Sequence, residues 1–571
     1  MTGWRYAAML GPQDAVAERA ADRRLRDCGL VPAARLPGIS LFVSRDCPWL
    51  SSRDGVLVVG RLLRRTDGRP CDPGDAEWGA AANAAERLTR RFWGSYVAFM
   101  PDGGGHAVLR DPSGGVPVYG FGLGDVTVWC SDIAVARALE VALHPDPDFI
   151  GSWLLHPYLR GARTGCAGVS ELVPGTMVRG AAPPVMIWNP WTFAAPEARI
   201  DDREQAIERL GRALRMAIAA PFRDERDLWV QLSGGLDSSI VAAALGAAGA
   251  APHALNYRTS TRDGDEREYA RAVAQRFGLA LDELLAPDPA PGLPDIGPAG
   301  FRPPPNHAIL ALQAAIRDHA VARGARWLID GAGGDNIFCH STTVAPLADA
   351  WRAGGLAAAA RCAGDLSRIT GSPIGRVMTM ALRRGLRRRR AWKQDRTFLS
   401  RAFAGDRPEA HPWLDAPGNA WAGKREHVAA LVSIRHFLER GLEEVGPHLV
   451  HPLLAQPLME TCVAIPAEMW VAGGRDRSVA RDAFADLLPP AVRDRRGKGR
   501  LESLFLKTYV RDRPALRTIL LDGELAQRGL IDRAALETYL AREGEPGDVL
   551  YVRILHIAAL ELWLAALAAP A

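Results

Sequence analysis

Ser233, Gly234, Gly235, Leu236, Asp237, Ser238 and Ser239 form the run in this 571-residue chain whose residue types and order say most about chemistry. Two adjacent glycines permit a tight turn and a close approach of backbone to an anion. The two serines open a helix whose unpaired N–H groups attract phosphate, and their hydroxyls add donors. The run lacks the Gly-Lys-Ser/Thr ending of a Walker A loop, so transfer of a γ-phosphate is not indicated. Asp237, in the middle of an anion cradle, would be repelled by phosphate unless a hard cation stood between them, which predicts Mg²⁺. A second carboxylate, Asp335, follows Gly331, Ala332, Gly333 and Gly334. Ligands of a parallel sheet gather at the C-terminal ends of its strands, so Asp237 and Asp335 are expected to face one metal-bound pyrophosphate.

Such loops must be held by strands and helices, and the residues around them supply both. From Asp227 the pattern is strand (Leu228 to Leu232), Gly-rich turn, an Ala-rich helix ending near Gly249, and strand (Ala254 to Tyr257), the start of a parallel α/β domain. A helix over Asp265 to Gly278, a Pro-rich loop over Pro287 to Pro305, a helix from Asn306 and a strand over Arg326 to Ile329 lead into Asp330 and Gly331. The remainder of the chain reads as almost wholly helical. Residues 1 to about 195 are instead short β-branched or alternating runs punctuated by Gly, Pro and Asp, mostly β with a few helices. The stretch Asn189 to Pro196 breaks both periodicities before a helix near Asp202, and the domain boundary is placed there.

Composition narrows the classes. Hydrophobic residues at 48% and charged residues at 24% exclude a disordered or fibrous chain, and the length calls for two or three domains. A net charge of +5 does not mark a nucleic-acid binder. The basic run from Arg383 to Arg396 is read as a solvated face, with an acidic partner or RNA as its other uses. The eight cysteines have no metal-ligand spacing, which argues against zinc. Arg5, Asp14, Glu18 and Arg19 interrupt any signal-peptide core, and the apolar stretch from Ile554 contains His556 and Glu561, so it reads as a buried helix. A cytoplasmic protein with reduced thiols and no membrane partner is expected.

Taken together, SGGLDSS, Asp265-Glu266 followed by Tyr269-Ala270, and the run Gly331 to Asp335 resemble the asparagine synthetase superfamily. Gly94 with Ser95 to Met100, and Arg110 to Tyr119, are similar to stretches of its glutaminase domains; Pro174-Gly175 and His451-Pro452-Leu453-Leu454 match in order and spacing. The resemblance implies a mixed α+β and α/β chain. Residues 1–195 would be a glutaminase-like β-sandwich of the N-terminal-nucleophile type. Residues 196–571 would be an adenylating, amide-forming α/β domain of the ATP pyrophosphatase kind with a helical C-terminal extension. It further implies that ATP rests on Leu232, Ser233, Gly234, Gly235, Asp237, Ser238, Ser239, Tyr257, Asp330 and Gly331. Asp237 and Asp335 would hold Mg²⁺. Lys498, between Gly497 and Gly499, would be the essential loop lysine that acts with them, Arg495 and Arg496 being its rivals by charge.

Two departures refine the resemblance. Glutamine-dependent members expose a cysteine nucleophile after Met removal, whereas this chain reads Met1-Thr2-Gly3, so the first domain is expected to be inert as a glutaminase. Ammonia-using members carry an acid at the position of Ala332, and β-lactam synthetases a tyrosine. A methyl group can do neither job. A peptide α-amine, with a pKa of roughly 7.7 to 8.0, needs a base less. The sequence therefore looks most like a lasso peptide cyclase, which joins a core peptide's α-amine to an Asp or Glu side chain. Its implied partners are a ribosomally made precursor peptide, a leader peptidase and a leader-recognition protein, with nucleic acid disfavoured. The alternatives are a small-molecule amide synthetase, of the β-lactam or ammonia-dependent kind, and a tRNA-modifying ATP pyrophosphatase.

Overall fold

The structure, a computed structural model, describes residues 3–569 except 13–14, 73–77, 79–82, 104, 259–264, 286–291, 294–299, 341–342, 386–391, 402, 404–408, 439–445, 498–501 and 543–547. In chain order its strands are β1 (Tyr6–Leu10), β2 (Val31–Leu36), β3 (Ile39–Val43), β4 (Trp49–Ser51), β5 (Leu57–Arg64), β6 (Phe92–Asp102), β7 (Gly105–Arg110), β8 (Tyr119–Leu123), β9 (Val126–Cys130), β10 (Ser170–Glu171), β11 (Thr176–Arg179) and β12 (Val185–Met186), then β13 (Leu228–Gln231), β14 (His253–Arg258), β15 (Leu281–Leu285), β16 (Trp327–Ile329) and β17 (His448–Val450).

The first twelve strands make two six-stranded sheets, ordered β10-β8-β9-β1-β3-β2 and β12-β11-β7-β6-β5-β4. Their alternation shows how they stack. Tyr6, Ala8 and Leu10 pack with Val59, Val97 and Phe99 of the facing sheet. Ala7 and Met9 point the other way, onto Ala21 and Leu25 of helix Ala15–Asp27 and Trp153 and Leu154 of helix Pro147–Leu155. On the far side Val58, Tyr96 and Ala98 pack with Ala84 and Leu88 of helix Ala84–Arg91. The result is a helix–sheet–sheet–helix stack. Central strands buried on both faces read as continuous apolar runs, which is why β1 and β3 show no polar alternation.

The remaining strands form a parallel sheet ordered β15-β14-β13-β16-β17. Val230, Ala254 and Ile329 pack on one face with Ile240 and Val241 of helix Leu236–Ala247. Trp229, Leu255 and Leu328 pack on the other with Leu312 and Ile316 of helix His307–Ala322. The chain runs outward from β13 to β15, then returns to β16 on the opposite side of β13. The switch point therefore lies between β13 and β16, and the loops leaving these two strands flank the crevice where ligands bind in such sheets. Two strands differ from the sequence reading: β15 (Leu281–Leu285) falls where that reading has no strand, and β17 is only three residues long within a stretch read as helical.

The two halves are joined by buried polar contacts. Trp188 Nε1 donates to Glu460 Oε1 at 2.8 Å, and Trp191 Nε1 donates to the carbonyl of Trp413 at 2.8 Å. Helix Leu550–Ala568 is long and apolar enough to cross a membrane, but 72% of its apolar window is buried within the protein, as read from His556 and Glu561. None of the eight cysteines, all of them described residues, takes part in a disulfide.

Candidate active site

β13 delivers the chain into the Ser233–Gly235 turn, and the neighbouring strand fixes where that turn begins. Leu232 N–H donates to the carbonyl of Leu255, and the Leu232 carbonyl accepts from Nδ2 of the buried Asn256 at 2.8 Å. Gly234 has φ +89°, and a Cβ there would lie 2.6 Å from the carbonyl oxygen of Glu266 and 3.0 Å from Cβ of Tyr269. Only glycine meets both conditions. Ser233 Oγ and Ser238 Oγ are 3.0 Å apart, and Ser233 Oγ accepts from Gly235 N–H at 3.3 Å. Ser239 is fully buried, with no partner for its hydroxyl among the described residues. Among the described residues no side chain caps the N-terminus of helix Leu236–Ala247, so its first N–H groups are directed at the crevice, the arrangement that favours an anion.

The loop after β16 is pressed against this helix start. A Cβ on Gly331 would lie 2.6 Å from Ser238 N, and one on Gly334 would lie 2.2 Å from Asp237 Cγ. Asp330 Oδ1 accepts from Ala332 N–H at 3.0 Å and lies 2.7 Å from His451 Nδ1. Asp335 stands on the short helix Gly334–Ile337. Tyr257 sits near the C-terminal end of β14, half-buried against the cluster that contains Trp229 and Leu312.

Asp237 and Asp335 are brought together, as expected, and what joins them is a residue that sequence reasoning missed. Arg477 Nη1 lies 2.9 Å from both carboxylate oxygens of Asp237 and 2.5 Å from Asp335 Oδ1, while Arg477 Nε lies 2.7 Å from Asp476 Oδ2. Its side chain is 7% exposed and its backbone is left-handed, φ +54°. Burial works against its charge, but Asp237, Asp476 and Asp335 together raise its pKa above the usual guanidinium value. No motif marks Arg477: it lies 240 residues from Asp237, and only the fold reveals the pairing.

A third segment reaches the site. Helix Pro490–Arg493 is followed by Arg495, whose Nη2 is 2.5 Å from Glu266 Oε1 and whose guanidinium lies 4.1 Å from the ring centroid of Tyr269. Arg481 Nη1 donates to the Arg493 carbonyl at 2.5 Å. Arg495 is thus committed to Glu266 and Tyr269, the two residues that abut Gly234. Arg496 is exposed, and Lys498 lies outside the described residues. Of the basic run, Arg383 is exposed at the end of helix Ile374–Gly385 and Arg396 donates to the Phe403 carbonyl, while 386–391 lie outside the described residues.

Known proteins with similar sequences or folds bear on this geometry. The asparagine synthase family model matches residues 209–565, a span that holds both loops, Arg477 and Arg495. The chain belongs to the asparagine synthase family. Among solved structures, a glutamine phosphoribosylpyrophosphate amidotransferase from B. subtilis, complexed with ADP and GMP, shares 10% identity at a TM-score of 0.21, covering 49% of this chain and 65% of that one. A structure described as the allosteric regulatory enzyme of purine biosynthesis shares 11% identity at a TM-score of 0.19, covering 52% of this chain and 76% of that one. A search of curated proteins finds no match.

Proposed function

We propose that this chain closes a macrolactam in a ribosomally made precursor peptide: ATP adenylates a side-chain carboxylate, pyrophosphate leaves, and the peptide's own α-amine displaces AMP. The observation that carries the choice of acceptor is Ala332. It lies in the loop pressed on the phosphate-binding turn, and its methyl group offers no acid or hydroxyl for activating a weakly acidic amine. A peptide α-amine, pKa roughly 7.7 to 8.0, is partly neutral at pH 7 without help. Holding the amine and the acyl adenylate in register replaces a bimolecular encounter, which is where a ring closure gains most.

ATP would lie along Leu232 to Ser239 with Tyr257, Asp330 and Gly331 around it. Asp237 and Asp335 fit a Mg²⁺ site: their oxygens converge on a single cationic nitrogen of Arg477, and two carboxylates plus phosphate oxygens are the hard donor set this ion takes. Bound there, Mg²⁺ would neutralise charge on the leaving pyrophosphate. Arg477 supplies positive charge at the same point, and Lys498 remains the candidate for the growing charge at the α-phosphorus. The reading places the reaction in the cytoplasm, with a leader peptidase and a leader-recognition protein as partners.

Purified protein incubated with ATP, Mg²⁺ and a leader-free core peptide carrying an acidic side chain should release AMP, and should not do so with aspartate plus ammonia or glutamine in place of the peptide. AMP release with aspartate and ammonia, in the absence of peptide, would favour a small-molecule amide synthetase.

A further inference from the structure

Amide formation releases a proton from nitrogen whichever amine attacks. When nitrogen bonds to the acyl carbon it becomes cationic, and its proton must leave for the new C–N bond to persist as the C–O bond to AMP breaks. Among the described residues, two imidazoles stand beside the two loops. His340 Nδ1 lies 2.7 Å from Asp476 Oδ1, a contact that raises its pKa although burial opposes it, so it favours the charged, proton-donating form beside Arg477.

His451 differs in position and partner. It follows β17 directly, at the C-terminal end of the sheet, whereas His448 begins that strand at the opposite end, with Nε2 3.0 Å from Asp46 Oδ2. His451 Nδ1 lies 2.7 Å from Asp330 Oδ1. A carboxylate only accepts, so Nδ1 carries the hydrogen and the basic lone pair is on Nε2. The same carboxylate oxygen takes the N–H of Ala332, fixing imidazole and loop to one point. His451 and Leu454 also line an apolar cavity of ≈ 70 Å³ walled by Trp4, Arg61, Trp93 and Trp327. Leu454 in turn abuts Gly333, where a Cβ would meet its Cδ2 at 2.7 Å. The imidazole therefore stands between this apolar cavity and the carboxylate-bearing loop, with Arg61 the charged group on the cavity side.

We propose that His451, oriented by Asp330, accepts the proton released by the acceptor amine. The proposal rests on the amide-forming reading above. Nitrogen attacks the acyl carbon, its proton passes to His451 Nε2, the C–O bond breaks and AMP leaves with the bonding pair. The imidazolium, stabilised by Asp330, then gives the proton to water. Asp330 acts through His451 and is a positioning residue.

The test separates adenylation from amide formation. His451→Gln and His451→Asn are assayed with the leader-free core peptide for ring closure, with its N-acetylated form for ATP–pyrophosphate exchange, and with hydroxylamine, a nucleophile that captures acyl adenylates without a protein base. Ring closure should fall about a hundredfold or more, the usual scale of a lost general base. Exchange and hydroxamate formation should stay within about twofold of wild type, since neither step needs that base. Unchanged ring closure, or a parallel loss of exchange and hydroxamate, would overturn the role of His451 alone. A wild-type protein that releases no AMP with the peptide would overturn the substrate reading and this proposal with it.

Discussion

At the scale of residues, the site is organised by charge. Two carboxylates that would repel each other are held within reach of a single guanidinium nitrogen, and the buried members, Asp237 and Arg477, keep their charges because they are paired. Asp237→Asn and Asp335→Asn should each leave a folded protein and lower AMP formation by at least about two orders of magnitude, the cost of losing one preorganised electrostatic partner. Single-turnover AMP release together with a thermal melt checks this, and undiminished release in either variant would remove that carboxylate from the chemistry. The two carboxylates were legible in the sequence because each follows a Gly-rich turn after a strand. Arg477 was not, because its partners are remote in sequence and nothing local sets it apart from the other arginines. Arg495 was legible only as a charge and a rival of Lys498. The structure gives it a different place, bracing the two residues that wall Gly234. Arg495→Ala should therefore weaken ATP binding about tenfold, equivalent to ~1.4 kcal/mol, while leaving AMP, which lacks the outer phosphates, nearly unaffected. Calorimetric titration with both nucleotides reads this directly, and equal losses for ATP and AMP would make the contact merely structural.

At the scale of elements, the two loops matter because of where the strands put them. β13 and β16 are neighbours that the chain reaches in opposite directions, so their C-terminal loops open onto one crevice. The three strands that frame this arrangement, β13, β14 and β16, were readable from apolar runs bounded by Gly and Asp. β15 and β17 were not. The first has an amphipathic pattern suited to a sheet edge, and the second is too short to show a period, although β17 is the element that carries His451 to the site. The C-terminal helices show the same limits of local reading. Glu561, noted in the sequence as a charge within an apolar helix, accepts the N–H groups of Glu524 and Leu525 at 3.1 and 2.8 Å and so caps a neighbouring short helix. Burial pushes its pKa up to about 7, against the pull of those two N–H groups. A carboxyl whose folded pKa exceeds its unfolded value gives its full contribution below the unfolded pKa, near the model-peptide value of about 4.3, and loses it as pH rises through the folded one. Glu561→Gln should thus gain stability relative to wild type as pH rises from the unfolded pKa to about 7, and level off above. Melting temperatures across this range decide it, and a difference that does not change with pH would contradict the burial-raised pKa of Glu561.

At the scale of the whole molecule, the two halves share one apolar cluster and meet through side chains of opposite halves that satisfy each other. Arg435, from the C-terminal half, donates to the carbonyls of Ser113 and Pro112, within the stretch similar to glutaminase domains. Burial lowers its pKa to about 9. Trp4 is buried against Trp327 and His448, with ring centroids 6.1 and 5.5 Å away, so the first strand's approach is tied to the parallel sheet. The proposed reading, in which the first half makes no ammonia, expects Thr2→Ala to be neutral for product formation and glutamine to stay intact with the wild-type protein. Glutamate release that is lost in Thr2→Ala would reverse that view. The most direct measurement is mass spectrometry of the core peptide, its leader removed so that the α-amine is free, after incubation with the purified protein, ATP and Mg²⁺. The expected result is a peptide lighter by one water, with fragments placing an amide between its N-terminus and an acidic side chain, and one AMP formed per ring. AMP formed without any change in the peptide, or a product that carries a separate amine in place of the ring, would contradict it.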